Sequence, residues 1–137
     1  MTATHNFTTG TGNTFKAALY LASATVNAST TAYSSSNEVT GTNYSPGGVT
    51  VTNGTSPLSS NTSTTAGVGY WTPSASITYT NVTLTTAFDA VLIYNSSASN
   101  KAVSVHTFGS QTVTAGTFTL TMPSNTTSTA LLRLATT

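Results

Sequence analysis

The sequence predicts an all-β protein: an antiparallel β-sandwich, jelly-roll-like, with long polar loops and at most one short helix. Three observations carry that expectation. Thr dominates the chain, in company with Val, Ile, Tyr and Phe; these side chains pack well on a pleated, half-buried surface. The apolar residues fall in clusters of strand length. Turn chemistry divides the clusters, at Pro73, Asn81, Gly109, Gly116 and Pro123, and short strands at such spacing point to a sandwich or jelly roll.

Residues 1–13 are polar, with Gly10 and Gly12, and read as an N-terminal arm ahead of a single sandwich domain over 14–137. Over 14–22, Phe15, Ala17, Leu19 and Leu21 alternate with Lys16, Ala18 and Tyr20, which favours a strand. Residues 23–47 form a long polar connection ending in a Pro46-Gly47-Gly48 turn. A loop of that length is normally functional or partly structured. A short helical turn is expected near 24–30, with extended chain after it. A short strand over 49–51 precedes a low-complexity loop over 52–65. Further strands are expected at 68–71, 76–79, 82–85, 87–95, 101–108, 117–122 and 130–135. Phe118, Leu120 and Met122 alternate with Thr117, Thr119 and Thr121, as on a half-buried strand. The runs Ala90-Val-Leu-Ile-Tyr94 and Ala130-Leu-Leu-Arg-Leu134 are apolar on both faces and are expected to be central.

Charge narrows the function. Lys16, Glu38, Asp89, Lys101 and Arg133 are the only formally charged residues among 137, where an ordinary domain is about a quarter charged. Five Phe, six Tyr and one Trp argue against a disordered tract. Three scattered cations do not neutralise phosphates, so no nucleic-acid partner is expected. No apolar run approaches the ~20 residues that span a bilayer, so no membrane partner is expected either. The N-terminus has neither the basic nor the apolar region of a secretory signal, and the eight Asn-x-Ser/Thr triplets read as by-products of composition. Near-zero net charge favours association between copies.

The same scarcity argues against catalysis and cofactors. Two carboxylates and the histidines His5 and His106 are scattered, there is no cysteine, and no metal-ligand spacing occurs. Asp89 and Arg133 are expected to form a structural ion pair or an inter-subunit contact; His106 shares a strand face with Ser104 and is expected to make a plain hydrogen bond. Gly67-Val-Gly69 lacks the third glycine of a nucleotide loop and reads as a bulge feeding an aromatic strand. Tyr33, Tyr44, Tyr70 and Trp71 lie in or beside loops, where each either packs in the chain's own core or anchors a partner or sugar. With Glu38, an isolated acid in a neutral loop, they are the expected partner-contact residues.

His5-Asn-Phe-Thr8, Thr14-Phe-Lys-Ala-Ala-Leu-Tyr20, Thr31-Ala-Tyr33 and Glu38-Val39 lead through Gly41 and Tyr44 to Gly47-Gly-Val49. Later come Ala90-Val-Leu-Ile-Tyr-Asn-Ser96, Asn100-Lys-Ala-Val103, Phe108-Gly109, Gly116-Thr-Phe-Thr-Leu120 and Ala130-Leu-Leu-Arg-Leu134. With this pattern the chain resembles a family of small virion structural proteins of tailed bacteriophages. The resemblance implies a non-enzymatic capsid cement or decoration protein. It would bind the major capsid protein at the capsid surface, self-associate as a dimer or trimer, and reach over a neighbour with segment 23–47 or the N-terminal arm. The alternative is a tail, neck or fibre component, including a receptor- or carbohydrate-binding adhesin.

Overall fold

Strand-formers at these spacings build seven strands: β1 (Phe15–Leu21), β2 (Val49–Thr50), β3 (Leu58–Ser59), β4 (Val68–Trp71), β5 (Ile77–Asn95), β6 (Lys101–Leu120) and β7 (Leu132–Ala135). The computed structural model describes residues 5–62 and 66–135. Residues 1–4 of the expected arm, 63–65 of the expected loop, and 136–137 lie outside the described residues. Two antiparallel sheets form, one in the order β2-β1-β5-β6 and one in the order β3-β4-β7. The fold is therefore an all-β sandwich, and the described residues contain no helix. The eight-stranded double Greek key of a jelly roll is not formed among them.

Two strands are far longer than the sequence suggested. The expected strands at 76–79, 82–85 and 87–95 fuse into β5, and those at 101–108 and 117–122 fuse into β6. The reason is that Asn81, Gly109 and Gly116 do not reverse the chain. The pairing of β5 with β6 instead shifts register repeatedly along its length, including between Tyr79 and Val82, where Asn81 takes a φ of 52°. Such bulges bend a strand without ending it. The one true reversal in this hairpin is at 96–100, with Ser99 and Asn100 both left-handed.

The large sheet is buried on both faces where β1 meets β5. On one face Phe15, Ala17, Leu19, Phe88, Val91 and Ile93 join Trp71 of the small sheet in the main core. On the other, Ala18, Tyr20, Ala90, Leu92 and Tyr94 form a second cluster, covered by Ala24, Val26 and Tyr33 from the long connection. Ala90 to Tyr94 are thus central as expected. The strand at 117–120 also shows its expected alternation, with Phe118 and Leu120 half-buried between exposed threonines.

Other expectations give way. Residues 27–30 form a turn rather than a helix, because the Asn27 side chain accepts the Ser29 amide at 2.8 Å while the Thr30 amide returns to the Asn27 carbonyl at 3.0 Å. An Asn that captures local amides competes with helix formation. The described part of the arm folds back on the body: Phe7 stacks on Phe15 with centroids 4.6 Å apart, and Asn53 donates to the Phe7 carbonyl at 2.9 Å. The apolar run 130–134 is not central. β7 is an edge strand, and Leu134 is 78% exposed. β4 pairs with both neighbours in unbroken register, so Gly67 and Gly69 mark no bulge. Asp89 and Arg133 stand in different sheets, on β5 and β7, and the expected ion pair does not form.

Candidate functional site

The expected contact residues separate into two places. Tyr33, Glu38 and Tyr44 come together beneath the long connection. Here the chain returns to β1: the Val39 amide donates to the Leu19 carbonyl and the Leu21 amide to the Asn37 carbonyl, each at 3.0 Å. That return carries Glu38 inward until it is 6% exposed. Its carboxylate then accepts three hydrogen bonds. Tyr33 donates to Oε2 at 2.6 Å, and Tyr44 and the Gly47 amide donate to Oε1 at 2.8 and 2.7 Å.

The Gly47-Gly48 turn makes this geometry possible. Both glycines are left-handed, at φ 86° and 72°, and a side chain on Gly48 would strike the Ala17 carbonyl. Only a residue without Cβ accepts both demands at no steric cost. Two further phenols tie the turn and sheet together: Tyr94 donates to the Gly47 carbonyl at 2.9 Å and Tyr79 to the Ala17 carbonyl at 2.8 Å. Burial pushes the Tyr33, Tyr44 and Tyr79 phenols well above the ordinary tyrosine range, and the neighbouring Glu38 charge adds to it. The phenols stay protonated donors. The cluster is therefore an internal clamp on the 23–47 connection. Glu38 and Tyr44 are withdrawn from the surface, and segment 23–47 covers its own sheet instead of reaching outward.

Tyr70 and Trp71 lie on β4 in the small sheet, pointing to opposite faces as neighbours on a strand must. Trp71 is 2% exposed, with Phe7 at 4.5 Å and its indole N–H shared between Asn53 Oδ1 at 3.1 Å and the Thr55 carbonyl at 3.0 Å. It packs in the core and offers no free face to a sugar. Tyr70 is only half-buried. Register sets it in one row across the sheet with Leu58 of β3 and Arg133 of β7. Leu132 and Leu134 share the opposite face with Trp71 and Gly69.

A groove of about 300 Å³ runs along this part of the sheet, lined by Phe7, Trp71, Leu132 and Leu134 and also by Leu58, Tyr70 and Arg133 of the other row. Leu58 and Leu134 are the two large apolar side chains exposed among the described residues. They stand on the two edge strands of the small sheet, in opposite rows, and both border this groove, where apolar exposure marks a candidate interaction surface. The sequence reading missed both leucines and the part Arg133 plays here. The polar loop at 52–65 hid Leu58, and Leu134 sat in a run that looked central. Alternation of Leu132, Arg133 and Leu134 was the available signal.

His106 lies apart from both places, whereas His5 packs beside Phe7, with ring centroids 6.1 Å apart. His106 Nε2 and Ser104 Oγ are 3.0 Å apart, the expected hydrogen bond. Burial lowers the His106 pKa and leads the lowering at His5. Among the described residues no three His, Cys, Asp or Glu side chains group closely enough to hold a metal ion. Compared with known proteins, the chain matches no family model, no curated protein and no solved structure. Fold and site together define a two-sheet β protein whose buried acid is fully hydrogen-bonded, with His5 Nε2 and Asn125 Oδ1 buried without a partner among the described residues, and with an exposed apolar surface on the small sheet.

Proposed function

We propose that this chain is a non-enzymatic adhesive protein of a virion, a cement or decoration subunit that binds the major capsid protein and stabilises the shell. The observation that carries the reading is the small sheet, which leaves Leu58 and Leu134 exposed beside an unpaired edge strand. The scarcity of charge supports it, because closely packed copies would not repel one another. Each contact need contribute only modestly, since many copies on one shell act together. Self-association as a dimer or trimer fits the edge of the large sheet along β6, which carries no charge beyond Lys101.

Counting copies in purified particles from the source of this chain tests the reading. Quantitative mass spectrometry giving copies comparable in number to the capsid subunits supports a capsid cement. Copies limited to the number of a tail or fibre assembly move the protein there. Absence from the particles overturns a virion role.

A further inference from the structure

The outer edge of β7 has no partner strand among the described residues, so backbone N–H and C=O groups there remain open to one more strand. Pairing geometry dictates what that strand carries. Residues opposite one another on neighbouring strands share a face, and successive residues alternate. An added strand therefore meets Leu132 and Leu134 on the face shared with Trp71 and Arg133 on the other, in the order apolar, polar, apolar.

Arg133 decides the polar position. It is exposed, has no carboxylate partner among the described residues, and flanks the half-buried ring of Tyr70 in the same row. Extending the sheet beside it places the next strand's side chain within reach of the guanidinium, and an acidic residue answers its charge.

A second copy of this chain is poorly suited. The symmetric antiparallel register that matches Leu132 with Leu134 also sets Arg133 against the copy's Arg133, a like-charge opposition that destabilises a sheet. The copy's two acids are also poorly placed to answer it: Glu38 is buried under three donors, and Asp89 sits half-buried on β5, an interior strand flanked by β1 and β6 that has no edge to add to β7. Charge complementarity therefore selects a different protein.

We infer that β7 is a docking edge for an extended segment of another protein with the pattern apolar-acidic-apolar, which adds to the small sheet and pairs its acid with Arg133. Strand addition of this kind draws affinity from main-chain hydrogen bonds and specificity from alternate side chains. The inference rests on the adhesive reading above and names its surface.

The test uses the full chain and capped peptides Thr-Thr-Val-Asp-Val-Thr-Thr and Thr-Thr-Val-Lys-Val-Thr-Thr. Trp71 is the single tryptophan and lies in the groove, so its fluorescence reports occupancy. The Asp peptide is expected to bind about three- to tenfold more tightly than the Lys peptide. Arg133→Glu inverts that preference, and Leu134→Asp removes binding of both while the melting temperature holds. N-methylation of the peptide backbone on its pairing edge also removes binding. No binding by either peptide, equal binding, or a preference unmoved by Arg133→Glu overturns the inference. A dimer in sedimentation that Leu134→Asp dissolves overturns it too, because the occupant is then a second copy. Particle copy number reads the virion role separately: its failure leaves the peptide preference standing, and the reverse also holds.

Discussion

The two sheets draw on the same uncharged alphabet and end in opposite states. In the large sheet β1 and β5 bury both faces, one against the small sheet and one under the 23–47 connection, and even its isolated acid is satisfied by Tyr33, Tyr44 and Gly47. The small sheet buries Trp71 on its inner side but leaves Leu134 exposed at its edge. The difference shows that composition does not decide which apolar side chains stay exposed. What decides it is whether a strand's second face and second edge receive a cover.

The largest expected effect contrasts two leucines. Leu92→Ala, beneath the connection, should destabilise the fold by about 2–5 kcal/mol in urea unfolding, because a fully buried side chain leaves a cavity. Leu134→Ser should change stability by less than about 0.5 kcal/mol, as for an exposed position. Comparable losses at both positions would abolish the distinction between the sheets. Glu38→Ala comes next, at about 3 kcal/mol, since it strands buried donors; Glu38→Gln, which keeps an acceptor oxygen, should cost about half as much. Faster proteolysis within 23–47 of the Glu38→Ala protein would show that the clamp holds this connection, and unchanged cleavage there would argue against it.

The pH response sharpens the same contrast. Tyr20, Tyr33, Tyr44, Tyr79 and Tyr94, all set around the large sheet, have phenols raised above the ordinary 10.0, chiefly by burial. A raised folded value means that stability is complete below 10.0 and is lost as pH climbs toward the folded values. His5 and His106 are lowered below 6.5, chiefly by burial. Their contribution is complete above 6.5 and is lost as pH falls through the folded values. The urea midpoint should therefore be flat from about pH 7 to about pH 10 and fall on both sides. Tyr44→Phe should soften the alkaline fall, and an unchanged alkaline limb would remove the phenols as its cause. The smallest effect is expected at Leu58→Ser, which should leave the melting curve in place.

Much of this architecture was legible in the chain. Strand-formers, alternation at 117–122 and the apolar runs at 14–22 and 90–94 follow from side-chain shape and a period of two, which are local properties. Bulges were not legible, because Asn81, Gly109 and Gly116 look the same whether the backbone reverses or only bends. The site was half legible. Tyr33, Glu38 and Tyr44 stood out as unusual, but burial withdraws Glu38 and Tyr44 from the surface and a hydrogen bond ties the half-buried Tyr33 to them as a clamp.

The sequence by itself determined an uncharged, strand-rich, cysteine-free protein, because residue type sets β propensity, charge and redox chemistry without reference to neighbours. Only the tertiary structure decided that Glu38 points inward, that Trp71 is core, and that the run ending at Leu134 forms an edge. Those outcomes depend on which distant segments pack together, and strand order is a property of the whole chain.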